Sequence, residues 1–227
     1  MIYLVKLIVY FSNHIKYSRS IMLKHLTLLF FSIITFSVTL QSRADITIKE
    51  LIFSDDKPFH LKLLEALPKE AKIEYGPEDA ENTIIEFMDY FCGFCKKIHP
   101  ELIKIVDERN DVRVIFLHHP ILSQNSIIIS KFVIAANFQN KGFDLHHSIF
   151  SMSGSMTQEK LEEAIIKSGI NKTQLNIDIG KPKIDQMIQL SSFLAGGAGV
   201  RGTPSLFVNE EFIGGYIEEQ QIISLLK

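Results

Sequence analysis

Hydrophobic and polar positions along the chain change period several times, and each change predicts an element. Residues 83–88, Thr-Ile-Ile-Glu-Phe-Met, mix β-branched and aromatic side chains and read as a buried strand. Ile98, Leu102, Ile105 and Val106 then recur at helical spacing, with Pro100 inside that helix as a source of a kink. Residues 112–117 alternate well enough for a second strand of the same sheet, reached by a right-handed crossover if the two strands are parallel. Helical patterns follow over residues 126–139, 143–150 and 157–167, the last with Thr157 as N-cap and Gly169 as stop. A further helix starts at Pro182, a favoured first-turn residue, and ends near Gly196-Gly197. Strand character returns at residues 205–208 and, after an Asn209-Glu210-Glu211 turn, at Phe212-Ile213; a helix over 218–226 closes the chain. Residues 59–67 form a short amphipathic pattern that either packs on the domain or makes an oligomer contact. With no internal repeat and no Gly/Ser-rich linker, the order predicts one α/β core with helices inserted between its two halves.

Composition narrows the class. The 227 residues are 46% hydrophobic, enough for a real core, and two cysteines rule out a disulfide-stapled miniprotein. A net charge of -2 gives no support to nucleic-acid binding. The charge is uneven, because residues 1–44 hold five of the 24 basic residues and none of the 26 acidic ones. Within them, Lys24 and His25 precede an apolar stretch over 26–40 and then Ser42-Arg43-Ala44, the three regions of a secretory signal. That stretch is shorter than the roughly 20 residues that span a bilayer, so a cleaved signal is favoured over a retained anchor. Apolar residues before Met22 leave two starts open: a signal with a long n-region, or translation from Met22. The expected organisation is a signal over 1–44, an extension over 45–74 and one domain over 75–227, its helical insert at about 122–197.

Export makes the cysteines informative. Cys92 and Cys95 stand two residues apart in Phe91-Cys92-Gly93-Phe94-Cys95-Lys96. A disulfide closing so short a loop restrains almost nothing in the unfolded chain, so it is a poor staple. Zinc wants four ligands and there is no second thiol pair. Redox chemistry is favoured over a zinc site and over an inert pair. The pair lies at a strand-to-helix junction, where unpaired N–H groups and the helix dipole favour a thiolate at Cys92. Lys96 and Lys97 add positive charge nearby or are an ordinary exposed pair. His118-His119 and His146-His147 read as solvated positions at a strand end and on an exposed helix face, and His99 as a helix-surface histidine, so no metal is expected.

The run Glu86-Phe87-Met88-Asp89-Tyr90-Phe91-Cys92-Gly93-Phe94-Cys95-Lys96-Lys97 resembles the active-site region of DsbA-like thiol:disulfide oxidoreductases, which have a thioredoxin fold with a helical insertion. His119-Pro120-Ile121-Leu122 with Ser126, residues 143–150 and Gly199-Val200-Arg201-Gly202-Thr203-Pro204-Ser205-Leu206-Phe207-Val208-Asn209 extend the resemblance over about residues 75–227. The resemblance implies Cys92 as exposed nucleophile and Cys95 as resolving partner. It implies Thr203-Pro204 as a cis-proline substrate-binding loop and Gly93-Phe94 as the dipeptide that tunes the redox pair. Glu86, six residues before Cys92, is either a buried carboxylate that takes the Cys95 proton or a half-exposed strand residue. The resemblance implies no cofactor; the expected partners are exported proteins with free thiols and a quinone-linked membrane protein that reoxidises the pair. The expected function is disulfide formation in the bacterial envelope or periplasm. A disulfide isomerase or reductase, and a non-catalytic thioredoxin-fold surface protein, are the alternatives.

Phe94 occupies the place where the strongly oxidising members carry His. Without an imidazole there, only helix N–H groups and the dipole stabilise the thiolate. The variant Phe94→His is therefore expected to be the stronger oxidant at equilibrium with glutathione, and a variant no more oxidising than wild type overturns this reading.

Overall fold

The structure is a computed structural model that describes residues 57–227, so the signal expected over residues 1–44 lies outside the described part. Its centre is the strand β2 (Asn82–Met88), all seven of whose residues are buried. A strand covered on both faces has no polar side to show, which is why its pattern is a near-continuous apolar run. β2 pairs in parallel with β3 (Val112–His118), Ile85 opposite Ile115 and Glu86 opposite Phe116. On its other side it pairs antiparallel with β4 (Ser205–Val208), Glu86 opposite Leu206. The outer strands β1 (Lys72–Tyr75) and β5 (Glu211–Gly214) are antiparallel to β3 and β4, giving the order β1-β3-β2-β4-β5.

Helix α1 (Phe59–Glu65) precedes the sheet, and α2 (Gly93–Glu108) connects β2 to β3. The insert between β3 and β4 comprises α3 (Gln124–Asn137), α4 (Gly142–Phe150), α5 (Gln158–Lys167), α6 (Lys172–Ile179) and α7 (Pro182–Gly197). A last helix, α8 (Glu219–Ser224), lies along α2 through Lys104 Nζ and Glu219 Oε1, 2.8 Å apart. This is the thioredoxin fold with a helical insertion. Among the described residues, no helix is long and apolar enough to cross a membrane.

Most caps are those the side chains dictate. Ser123, Thr157 and Asn171 each accept a hydrogen bond from the backbone N–H three residues on, which starts α3, α5 and α6. α2 continues past Pro100 to Glu108. At the β1–β2 turn, Gly76 has φ +105°, and a Cβ there would lie 2.7 Å from the Val112 carbonyl oxygen. Only glycine fits that turn.

Two elements escape the pattern analysis. β1 is a four-residue edge strand, Lys-Ile-Glu-Tyr, with Ile73 alone fully buried. α6 buries only Leu175 and Asp178, so it shows no apolar stripe. The boundary drawn at residue 75 also falls inside β1. Ile73 belongs to the core, and α1 buries Leu63 and Leu64 while Phe59 meets Phe207 with ring centroids 5.8 Å apart. Residues 59–75 are part of the same compact unit, because an edge strand and the helix feeding it complete its core.

The histidines correct the expectation more strongly. His99, His118 and His146 are buried and His119 nearly so, while His147 alone of the two pairs is exposed. They gather where α2, β3 and α4 meet. His99 Nε2 lies 3.0 Å from His147 Nδ1, and His146 Nδ1 lies 3.0 Å from the Tyr90 hydroxyl. Phe116 packs on His146 with ring centroids 4.2 Å apart, and Phe150 on His99 at 5.0 Å. An imidazole is flat and largely carbon, so it fills an aromatic layer while neutral. Burial holds His118 and His99 down at about 3, the charge of His147 adding to the effect on His99, and holds His146 well below its ordinary value.

These groups take up protons on unfolding at any pH between their folded and ordinary values. Stability due to them is therefore complete above about 6.5 and falls as pH drops below it. Replacing His118, neither of whose ring nitrogens has a hydrogen-bond partner, removes one such proton. In denaturant melts, His118→Leu is expected to lose about 2 kcal/mol less than wild type between pH 7 and pH 5. Equal losses would show His118 to be accessible to protons in the folded state.

Candidate active site

β2 ends at Met88, and the next three residues turn the chain into α2. Asp89, fully buried, organises that turn. Its carboxylate accepts from the Phe91 N–H (2.8 Å) and from the Leu122 N–H (2.9 Å), tying the residues before the cysteines to the loop after β3. Its carbonyl accepts from the Cys92 N–H at 3.0 Å. The polypeptide then enters α2 with Cys92 as N-cap, in extended conformation (φ −81°, ψ 117°). Asp89 stands inside the motif, yet its position gave no sign of this role; an acid directly after a buried strand and two residues before a turn N–H is the local signal for it.

Cys92 Sγ accepts a hydrogen bond from the Cys95 N–H (3.4 Å), and as a thiol it donates to the Thr203 carbonyl (3.1 Å). The Cys95 thiol, Thr203 and the N–H groups of Cys95 and Phe94 stabilise the anion more than burial disfavours it. The Cys92 thiol is thereby pulled down to about 5. Cys95 has the opposite fate. It is fully buried, and burial, the neighbouring Cys92 and the Glu86 carboxylate push its thiol far above the ordinary value. Two thiols one helical turn apart thus differ sharply in acidity, one facing backbone donors and the other the interior.

Expected to be exposed, Cys92 is only 7% so, because Thr203 and the insert close over it; it opens onto a cleft of about 320 Å³. Gly93 lines that cleft, and a Cβ there would meet no atom within 4 Å. Phe94 turns away. Its ring, 60% exposed, stacks on Tyr216 with centroids 6.0 Å apart, and Lys97 Nζ sits 3.9 Å from the centre of the same Tyr216 ring. Tyr216 donates to Glu101 (2.8 Å), a contact that the sequence pattern did not signal. Lys96 donates to the Met152 carbonyl and holds the loop after α4.

The loop from Gly202 comes to Cys92 from the far side of the sequence. The Thr203–Pro204 bond is cis, Pro204 is buried, and Ser205 Oγ donates to the Gly202 carbonyl (2.8 Å). Glu86 is fully buried beneath the pair. Burial pushes its carboxyl up to about 8; the Cys95 thiol offsets part of this and the Cys92 charge adds to it. Cys92, Cys95, Thr203, Pro204 and Glu86 therefore converge from β2, α2 and the loop before β4. Among the described residues, no group of three or more His, Cys, Asp or Glu side chains could hold a metal ion.

A buried helix-start pair of thiols on this fold is an arrangement that can carry out thiol–disulfide exchange. A family model described as Thioredoxin matches residues 69–227, and the chain belongs to that thioredoxin family. It is similar to Disulfide bond formation protein D of Bacillus subtilis, 23% identical over 65% of this chain and 72% of that protein. It is also similar to the Na(+)/H(+) antiporter NhaA of Herminiimonas arsenicoxydans, 21% identical over 76% of this chain, and it spans only 28% of that relative's length. Among solved structures, a thioredoxin-like oxidoreductase from Silicibacter pomeroyi superposes with a TM-score of 0.66 and 27% identity, over 71% of this chain and 94% of that one. The thiol-disulfide exchange protein α-DsbA2 of Wolbachia pipientis superposes with a TM-score of 0.62 and 26% identity, over 81% and 98%.

In the reduced protein, the ultraviolet absorbance of the thiolate is expected to titrate with a midpoint near 5. Cys95→Ala raises that midpoint, because the Cys95 thiol is the largest single stabiliser of the anion. A midpoint at the ordinary thiol value, unmoved by Cys95→Ala, would show that neither the helix nor Cys95 holds the charge.

Proposed function

We propose that this protein forms disulfides in exported proteins of the bacterial envelope by exchange through Cys92-Gly93-Phe94-Cys95. The observation that carries this reading is the split between the two thiols: Cys92 held at about 5 at the start of α2, Cys95 buried and pushed up. A pair that stabilises one thiolate makes its own disulfide reactive, since that sulfur is a good leaving group. The basic, then apolar, then small-residue order of residues 24–44 supports an exported setting.

In the reaction, a client thiolate attacks Cys92 Sγ of the oxidised pair. The client–Cys92 bond forms as the Cys92–Cys95 bond breaks, and Cys95 leaves with the electron pair. Glu86, protonated near neutral pH because its carboxyl sits at about 8, supplies the proton that Cys95 takes up in the interior. A second client thiolate then attacks the client sulfur, and Cys92 leaves as a stable anion. The client is oxidised by two electrons and the pair is reduced; a quinone-linked membrane partner restores the disulfide. Thr203 and Pro204 supply the backbone edge along which an extended client lies.

With a reduced, unfolded multi-thiol protein as substrate, oxidised wild type is expected to form disulfides stoichiometrically and Cys92→Ala to form none. Glu86→Leu is expected to react at least about 100-fold more slowly below pH 8, with a smaller deficit above it, as for the loss of a general acid. In the envelope, the Cys95→Ser variant is expected to trap clients that still carry free thiols. Capture of clients already bridged wrongly would make the protein an isomerase, and an unchanged cellular effect of Cys92→Ala would remove the redox role altogether.

A further inference from the structure

The cleft over Cys92 has walls of two kinds. One rests on the aromatic layer: Tyr90 and Phe150, with ring centroids 5.1 Å apart, and Ile149 beside them. The other is the connection between α4 and α5, from which Met152, Gly154, Ser155 and Met156 line the cleft. Over residues 151–156 its sequence is Ser-Met-Ser-Gly-Ser-Met, with no charge and no β-branched side chain, and Gly154 takes φ +73°. Small, flexible residues of this kind give a segment little of its own to hold one shape.

Two lysines supply the shape. Lys96 Nζ, from α2, donates to the Met152 carbonyl. Lys160 Nζ, from α5, donates to the Ser153 and Ser155 carbonyls (2.7 and 3.0 Å), one on each side of Gly154. A Cβ on Gly154 would lie 3.4 Å from Lys160 Nζ, so the ammonium sits in the bend itself. An ammonium has three donors and no acceptor, which suits it to converging carbonyls. Both lysines stand in the first turn of their helices, Lys160 three residues after the N-cap Thr157 and Lys96 four after the N-cap Cys92. A cation there opposes the helix dipole, so neither is favoured by its own helix, and the loop carbonyls supply the compensation.

We propose that Lys96 and Lys160 are positioning residues that fix the width of the mouth over Cys92 and thereby select the thiols that reach it. The proposal rests on the exchange reading above and assigns its selectivity to two side chains that hold a loop. Cys92 is 7% exposed at the bottom of a cleft of about 320 Å³. A cysteine on an extended chain enters such a cleft on a narrow backbone. A thiol set in a folded surface brings its neighbours with it and meets the wall over 152–156. It reaches Cys92 only when the loop moves, and the loop moves only when the lysine bonds break.

Three thiols decide it: glutathione, an unstructured single-cysteine peptide, and a folded protein with one surface thiol of matched acidity. Second-order rates with the oxidised protein are the readout, beside amide exchange over residues 151–156. Wild type is expected to favour the peptide over the folded protein at least about tenfold, the worth of one charge-assisted hydrogen bond. Lys160→Met and Lys96→Met are each expected to cut that ratio about tenfold by raising the folded-protein rate, and to speed amide exchange in the loop. Lys160→Arg keeps the donors and is expected to keep both the ratio and the protection. Lys183→Met changes a lysine whose Nζ lies 3.9 Å from the centre of the Phe138 ring, away from the loop, and is expected to behave as wild type. The thiolate midpoint is expected to stay near 5 in Lys160→Met. No preference in wild type, an unchanged ratio in either methionine variant, or an equal fall in Lys183→Met overturns the proposal. A shifted midpoint in Lys160→Met, or a ratio that falls only because the peptide slows, overturns it too, since the lysine then acts on the sulfur. Failure of wild type to react with glutathione at all defeats instead the exchange reading beneath it.

Discussion

A single sulfur held as an anion at the start of a helix is the constraint that organises this molecule. The thiolate of Cys92 is held first by the Cys95 thiol one turn on, then by Thr203 and by backbone donors that the first turn of α2 supplies from Cys95 and Phe94. Those donors reach the sulfur only if the backbone enters the helix extended at Cys92. That entry depends in turn on Asp89, whose two carboxylate oxygens and carbonyl fasten the turn from three directions. A buried acid with all its bonds made to backbone N–H groups is a rigid fixture. The stability of one anion is thus set by the placement of another.

The surroundings of the pair follow an opposite rule and are kept uncharged. Glu86, Cys95, His99, His118 and His146 are titratable, fully or almost fully buried, and shifted toward their neutral forms by the cost of charging them away from water. Such an interior makes the difference between Cys92 and Cys95 as large as it is. It also places the insert, because α4 reaches the sheet through a layer in which imidazoles and phenyl rings pack interchangeably. The insert does two jobs there: it closes the layer over β3 and α2, and it sets residues 151–156 and α5 beside the Cys92 cleft.

The histidines and Glu86 show where reading the chain stops. A histidine pair at the end of a strand looks polar in one dimension, and nothing in its neighbours tells which ring faces water. His146 and His147 are adjacent, and only the rotation of α4 buries one and exposes the other. Glu86 is the same case on a strand. Its two readings, buried acid or half-exposed residue, differ only in what covers β2, and that cover comes from helices far away in sequence. β1 and α6 carry no periodic signal because each is short and buries one or two side chains, too few to set a period.

By itself the amino-acid sequence determined the strand-helix-strand unit around the cysteines, the helices of the insert apart from α6, the return strands, and the two-residue spacing of the thiols on which the proposed exchange rests. Each of these rests on neighbours within one or two turns: apolar periodicity, a cap, the two-residue spacing of the thiols. The tertiary structure alone decided what depends on distant partners. It brought Thr203 to 3.1 Å from Cys92 across 111 positions, made Glu86 a fully buried acid, and buried His99, His118, His119 and His146 while leaving His147 exposed. The physical reason is that acidity and burial are properties of an environment, and here that environment is assembled from three separate stretches of the chain.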